Sequence, residues 1–203
     1  MEPTSFRERD LDALREVANI GAGHAAGALS RLVRRVITIE VPRARALGLS
    51  EVPAAVGGAE ALVVGVHLRV HGAMRANLLL TFPPEGAGLL LRQMGTACDD
   101  LLRVPPPAAS ALREVGNILG GTYLNAVSQL LHVALIPSVP GLAIDMAGAV
   151  VDLLLTEIAG ASDEALVLET TLREPGGGIS GSCFLLPDPA ALGLLVGALR
   201  STP

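Results

Sequence analysis

One short stretch of this chain occurs twice, and the distance between its copies restricts what the chain can fold into. Residues 12–19 read Asp-Ala-Leu-Arg-Glu-Val-Ala-Asn, and residues 110–117, 98 positions later (12 to 110), read Ser-Ala-Leu-Arg-Glu-Val-Gly-Asn. Each copy is followed by a proline 23 residues after its Asn (19 to 42, 117 to 140), namely Pro42 and Pro140. A period of about 100 residues is far longer than a solenoid repeat. The repeat therefore predicts two related halves that pack about a pseudo-twofold axis.

The residue pattern predicts similar elements in the two halves. Apolar residues at three- and four-residue steps predict long helices, and β-rich runs bounded by Gly and Pro predict strands and hairpins. The first half is predicted as a helix over 10–35, a strand over 36–41 closed by Pro42, an irregular segment over 43–60 with room for short helical turns, a hairpin of 61–70 with 75–82, and a helix over 85–94. The second is predicted as a helix over 107–131, a strand over 133–139 closed by Pro140, a helix over 144–158, a hairpin of 165–172 with 180–186, and a helix over 189–200.

These elements predict an α+β fold. It is a single domain over 1–203 built from a duplicated α-β-β-β-α unit with pseudo-twofold symmetry, whose halves span about 10–95 and 107–200. The strands are expected to merge into one mainly antiparallel sheet covered by the two long motif-bearing helices, because a helix with an apolar stripe must bury it. Gly21, Gly23 and Gly27 form a small-residue band in the first helix, which predicts the close approach of another helix or strand.

The repeated stretch places polar groups on one helical face. Positions i, i+4 and i+7 share a face, so Asp12, Glu16 and Asn19 form a stripe. The second copy repeats this stripe with Ser110, Glu114 and Asn117. The Glu offers a negative charge to a cation, and the Asn offers a donor and an acceptor that can fix one water. An exposed Glu and Asn are usually only solvated, but both persist while other positions of the halves differ, which favours a function.

Composition and spacing argue against several other functions. A net charge of −5 without a clustered basic face argues against nucleic-acid binding. Two isolated cysteines suit a reducing cytoplasm, and Asp and Pro residues interrupt both long apolar stretches, so we expect a cytoplasmic protein without membrane insertion. The band from Gly21 to Gly27 lacks the spacing of a dinucleotide fingerprint. His67 and His71 would lie about 13 Å apart on a strand, too far to share a metal, and no other metal site is indicated.

The pattern of Asp or Ser, three residues, Glu, two residues, Asn, twenty-two residues and Pro resembles the signature of the CheC-type phosphatases of bacterial and archaeal chemotaxis. This family also includes CheX and the flagellar switch protein FliY. The resemblance covers nearly the whole chain, and the words around each motif, such as residues 16–23 and 114–123, are similar as well. It implies an aspartyl-phosphate phosphatase that acts on the response regulator CheY.

The resemblance also implies a role for each motif residue. Glu16 and Glu114 would each pair with a regulator lysine near the phosphorylated Asp, and Asn19 and Asn117 would each orient the attacking water. No cofactor is expected on this chain, because Mg²⁺ would be supplied by the partner regulator.

The remaining motif residues are expected to support the sites. Asp12 and Ser110 would begin each site as helix-side supports. Pro42 and Pro140 would shape the strand end beneath it.

Within the family, two motifs in one short chain favour the CheC type, which would be a monomer with two sites. CheX has one motif and dimerises, and FliY has an additional C-terminal domain for which no room follows Pro203. The receptor deamidase CheD is a further expected partner, through the apolar helix over 144–158 with Asp145 and Asp152 as candidate contacts; that helix is alternatively a core element. The alternative function is a non-catalytic binding module for phosphorylated CheY or CheD. A structural role in the flagellar switch is the third.

Overall fold

A computed structural model describes residues 8–158 and 163–191 of the chain. Within these ranges the α-helices are α1 (Glu8–Val33), α2 (Val52–Ala55), α3 (Pro84–Gln93), α4 (Pro106–Leu131) and α5 (Ala147–Ile158). The strands are β1 (Thr38–Ile39), β2 (Arg43–Gly48), β3 (Leu62–Gly72), β4 (Ala76–Phe82), β5 (Leu135–Pro137), β6 (Gly141–Met146), β7 (Glu164–Arg173) and β8 (Ser180–Pro187). Of the last predicted helix, only the short 3-10 turn Pro189–Ala191 is described, and residues 192–200 lie outside the described residues.

The strands form one antiparallel sheet whose order is symmetric in the two halves. The order is β1-β7-β8-β4-β3-β5, with β2 also paired to β7 and β6 also paired to β3. The hairpin β3–β4 of the first half is thus completed by β5 and β6 of the second, and β7–β8 is completed by β1 and β2. The predicted α+β class with a merged, mainly antiparallel sheet is confirmed.

The two motif prolines interrupt the strands rather than closing them, so two assignments predicted from the sequence are wrong. The sequence predicts an irregular segment over 43–60, but β2 begins directly after Pro42 and pairs with β7 over six residues. The short helical turns predicted in this segment are present at Leu49–Glu51 and Val52–Ala55. The helix predicted from residue 144 begins at Ala147, because residues 141–146 form β6 and pair with β3. Proline has no N–H to donate to a ladder, but it fits extended backbone, so the chain continues as a new strand on the far side.

The sheet has a helical layer on each face, and strand alternation divides the core accordingly. One face packs against α1, α4 and α3, and the other against α5 and α2. The sheet side chains that face α1, α3 and α4 include Val64, Val66, Leu68, Leu78, Leu80, Leu166, Leu168, Cys183 and Leu185. The sheet side chains that face α5 and α2 include Val63, Leu79, Val167, Phe184 and Leu186. The two motif-bearing helices cover the sheet, as predicted, and the structure places both on the same face.

Helices α1 and α4 pack against each other, and one member of the small-residue band permits this. A Cβ on Gly21 would lie 2.8 Å from the ring of Tyr123 on α4. Gly23 is exposed, and a Cβ there would meet nothing within 4 Å. The predicted close approach is confirmed at Gly21 and is absent at Gly23.

The two long helices end in the same way. Arg34 and His132, 98 positions apart (34 to 132), both adopt left-handed backbone conformations, with φ of 54° and 53°. Four residues before each, Ser30 and Ser128 bond the chain that leaves the helix. The end of each helix therefore fixes how the chain leaves the helix toward the sheet. No helix within the described residues is long and apolar enough to cross a membrane.

Candidate functional site

Four polar side chains of the repeated stretch lie on the outer surface of the paired helices. Glu16 and Asn19 are exposed on α1, and Glu114 and Asn117 are exposed on α4. The interleaved apolar residues are buried, including Leu14, Val17, Ala18, Leu112 and Val115. The helical spacing thus presents a carboxylate and a carboxamide, one turn apart, twice on the same helical layer.

None of these four side chains has a hydrogen bond or ion pair to another described residue. The Glu carboxylates are therefore available to an external cation, and the Asn amides keep their full donor and acceptor capacity. The residues that begin the two motifs differ. Asp12 accepts a hydrogen bond from the Arg15 guanidinium, whereas Ser110 makes no such bond to the equivalent Arg113 among the described residues. The first motif therefore carries an internal ion pair that the second lacks.

The second motif proline lies directly against its helix. A Cβ on Gly116 would lie 3.7 Å from Cβ of Pro140 and would overlap Val66 of β3. Because residue 116 lies between Glu114 and Asn117, the turn that carries the motif rests on the chain between β5 and β6. In the first half the residue equivalent to Gly116 is Ala18; both Ala18 and Pro42 are buried.

The two candidate contacts for a further protein partner do not lie on one helix, and the prediction that placed both there is wrong. Asp145 belongs to β6, where its carboxylate accepts a hydrogen bond from the Met146 N–H, and Asp152 is exposed on α5. Helix α5 is amphipathic: Val150, Val151 and Leu154 are buried against the sheet while Leu153 is exposed. The burial pattern fits both interpretations of this helix, as a core element and as a protein contact, since one side belongs to the core and the other faces outward.

Two clefts of the described part of the chain lie away from the repeated motif. One of about 750 Å³ lies between the end of β1, the start of β3 and the β7–β8 loop, and one of about 530 Å³ lies beside His71. No motif residue lines either. At the first cleft, a hydrogen bond from Arg35 holds the pKa of Glu174 below its ordinary value.

His67 bonds the Asn77 side chain at 2.9 Å, and the described residues contain no group of three or more His, Cys, Asp or Glu placed to hold a metal.

Two exposed valines beside the motif prolines were missed by the sequence interpretation. Val41 is 86% exposed and Val139 is 87% exposed, and each directly precedes its motif proline. The signal was present, because both copies read Val-Pro at this position. Without the sheet pairing, however, a valine at the end of a predicted strand, as in 36–41 and 133–139, is interpreted as a buried strand residue.

A family model and a relative of known name match the segments that contain the repeated stretch. The family model described as "CheC-like family" matches residues 10–44 and 108–144, so each match contains one complete motif and its proline. The protein named "CheY-P phosphatase CheC" of Bacillus subtilis (strain 168) is 36% identical over 188 residues, which is 90% of this chain and 90% of that protein.

Solved structures share the fold at low sequence identity. FliY of Thermotoga maritima has a TM-score of 0.76 at 18% identity, with 98% of this chain and 100% of that chain covered. The chemotaxis protein CheX of Desulfovibrio desulfuricans has a TM-score of 0.57 at 13% identity, with 85% and 99% covered. The fold is common to several kinds of protein, but the extent and identity of the Bacillus match are decisive for the family: this chain belongs to the CheC-like family.

Proposed function

We propose that this chain is a phosphatase that hydrolyses the aspartyl phosphate of the response regulator CheY. The observation that carries the proposal is the presence of two surface pairs, Glu16 with Asn19 and Glu114 with Asn117, which have no partner among the described residues. The relative that is named a CheY-P phosphatase supports the choice of substrate.

The chemistry follows from what each side chain can offer. Each Glu would bind a lysine ammonium of the regulator, because an uncommitted exposed carboxylate forms an ion pair at little desolvation cost. Each Asn would enter the regulator's site and hold one water with its amide donor and acceptor, in line with the bond that breaks. Water attacks phosphorus, the P–O bond to the aspartyl oxygen breaks, and inorganic phosphate leaves.

The proposal assigns the remaining catalytic parts to the regulator. Mg²⁺ held there would neutralise charge on the phosphoryl oxygens, so this chain would supply only position and orientation. No general base is assigned to this chain, because phosphoryl transfer passes through a loose transition state in which the attacking water is still only weakly bonded to phosphorus. No general acid is needed either, since the carboxylate leaving group is weakly basic. The chain would act as a cytoplasmic monomer with two sites.

The experiment is the decay of phosphorylated CheY with Asn19→Ala, Asn117→Ala and the double variant. The double variant is expected to lose at least about a hundredfold in rate, because an unpositioned water forfeits the advantage of orientation. Each single variant is expected to keep partial activity from its intact site. Asn125→Ala is the matched control: Asn125 is an exposed Asn on the same helix, eight residues after Asn117 (117 to 125), and its equivalent in α1 is Gly27. Full activity in the double variant would refute the assignment.

The second candidate is a binding module for phosphorylated CheY or CheD, which would form a complex without faster dephosphorylation. The exposed side of α5 with Asp152 supports a separate protein contact. Asp145, at the end of the neighbouring strand β6, is the second candidate contact. Unchanged decay of the phosphorylated regulator together with a stable complex would favour this candidate.

A further inference from the structure

We propose that Val41 and Val139 are apolar docking contacts for the response regulator, one at each site, and that they set affinity rather than rate. This inference rests on the proposed function, because it assigns the valines to the same partner as the Glu and Asn pairs. It concerns residues outside the repeated motif itself.

The first argument is that the two exposures coincide in the repeat. A single exposed apolar side chain is ordinary on a protein surface. Among the other large apolar side chains that the structure exposes, Val36 corresponds to Ala134 and Ile136 to Thr38, so neither is repeated. Val41 and Val139 lie 98 positions apart (41 to 139), like the motif, and are both nearly fully exposed.

The second argument is proximity to the motif. Pro140 follows Val139 and lies against Gly116, between Glu114 and Asn117. Val139 therefore borders the turn that presents the second pair. In the first half, α1 packs against both β1 and β2, and Val41 lies in the connection between those two strands. A partner laid over the Glu and Asn pair would reach the neighbouring valine.

The third argument is that both valines are held in place before any partner arrives. The residue before each valine donates its backbone N–H across to the sheet: Glu40 to the Thr171 carbonyl at 2.9 Å, and Ser138 to the Arg69 carbonyl at 2.8 Å. The proline after each valine restricts the valine backbone to extended conformations. Because the backbone is already held in this way, ordering the valine on binding costs little entropy. An exposed Glu and an exposed Asn would supply little affinity alone. The valines supply the apolar contact that the polar pairs lack.

The test compares saturation kinetics of the dephosphorylation of CheY for Val41→Asp, Val139→Asp and the double variant. The double variant is expected to raise KM about tenfold or more while kcat stays within about twofold, because an apolar contact away from the reacting atoms binds the ground state and the transition state alike. Val36→Asp is the control, since Val36 is 68% exposed just after the C-terminal end of α1, at the opposite end of that helix from the motif, and it is expected to leave both constants unchanged. Melting followed by circular dichroism checks that each variant is folded, and Val→Ser versions replace any that is not.

Combination with the Asn variants assigns each valine to its site. In the Asn19→Ala background the second site carries the turnover, so Val139→Asp is expected to raise KM several-fold more than Val41→Asp. In the Asn117→Ala background the first site carries the turnover, so Val41→Asp is expected to raise KM more than Val139→Asp. Unchanged KM in the double valine variant, or a fall in kcat alone, overturns the inference while the phosphatase activity stands. If the unaltered chain has no turnover, binding to regulator carrying beryllofluoride replaces KM as the readout. Equal binding by the unaltered chain and the valine variants then overturns the inference, as does the absence of any binding.

Discussion

At the scale of single residues, the two cysteines occupy opposite environments. Cys183 is buried in β8 under the α1–α4 layer, and burial raises the pKa of its thiol to about 12. Cys98 is partly exposed in the loop before α4, with its Sγ donating to the Asp100 carbonyl. The thiolate is the reactive form of cysteine, so we expect the Cys98 thiol to react faster than the buried Cys183 thiol.

We expect one thiol of the folded protein to react with an aromatic disulfide reagent at pH 8 and the second to react only after denaturation. Cys98→Ser should remove the fast reaction and leave the slow one. The raised pKa of Cys183 also means that its contribution to stability is complete below about pH 8.5, the ordinary thiol pKa, and is lost as pH rises toward 12. Fast reaction of Cys98→Ser without denaturant would contradict this placement.

Local periodicity explains which residues could be predicted. Glu16, Asn19, Glu114 and Asn117 follow from helical spacing alone, because a face of a helix is set by neighbours in sequence. Asp145 could not be placed in this way. It belongs to a strand only because β3, about 80 residues earlier in the chain, lies beside it, and pairing over such a separation leaves no local signal.

At the scale of elements, the contact between α1 and α4 depends on one glycine. Gly21 leaves room for the fully buried ring of Tyr123, whose phenol pKa burial raises well above its ordinary value. Gly23, two residues later, faces open space. The composition of the band indicates a close contact, but which glycine makes it depends on how the partner helix is rotated, and the band itself does not encode that rotation.

Gly21→Ala and Gly23→Ala are therefore expected to change stability in opposite directions. Gly21→Ala should lower the free energy of unfolding by about 1–3 kcal/mol, because the Tyr123 ring is confined by the core. Gly23→Ala should raise it by up to about 1 kcal/mol, since an exposed helical glycine costs conformational entropy. Urea titration of the two variants beside the unaltered protein measures both, and equal shifts would show that the helices do not meet at Gly21.

At the scale of the whole molecule, the sheet joins the two halves through exchanged strands. The repeat predicted two related halves and one merged sheet, and both features follow from sequence self-similarity. The exchange itself was not predicted: β2 pairs with β7 and β6 with β3, so each half contributes its first strands to the hairpin of the other. Repeated sequences cannot by themselves distinguish pairing within a half from pairing between halves, because the hairpins offer similar edges.

The exchange predicts that the chain unfolds in a single transition despite its two halves. Tyr123 is the only tyrosine and the chain has no tryptophan, so tyrosine fluorescence reports on the α1–α4 contact. Far-UV circular dichroism reports on all helices and strands. The two urea curves should coincide in midpoint, and Gly21→Ala should shift both together, because neither half can keep its hairpin covered once the other is lost. A fluorescence change that precedes the loss of circular dichroism would mean that the helical layer separates while the sheet persists, and the halves would then not be interdependent as the strand pairing requires.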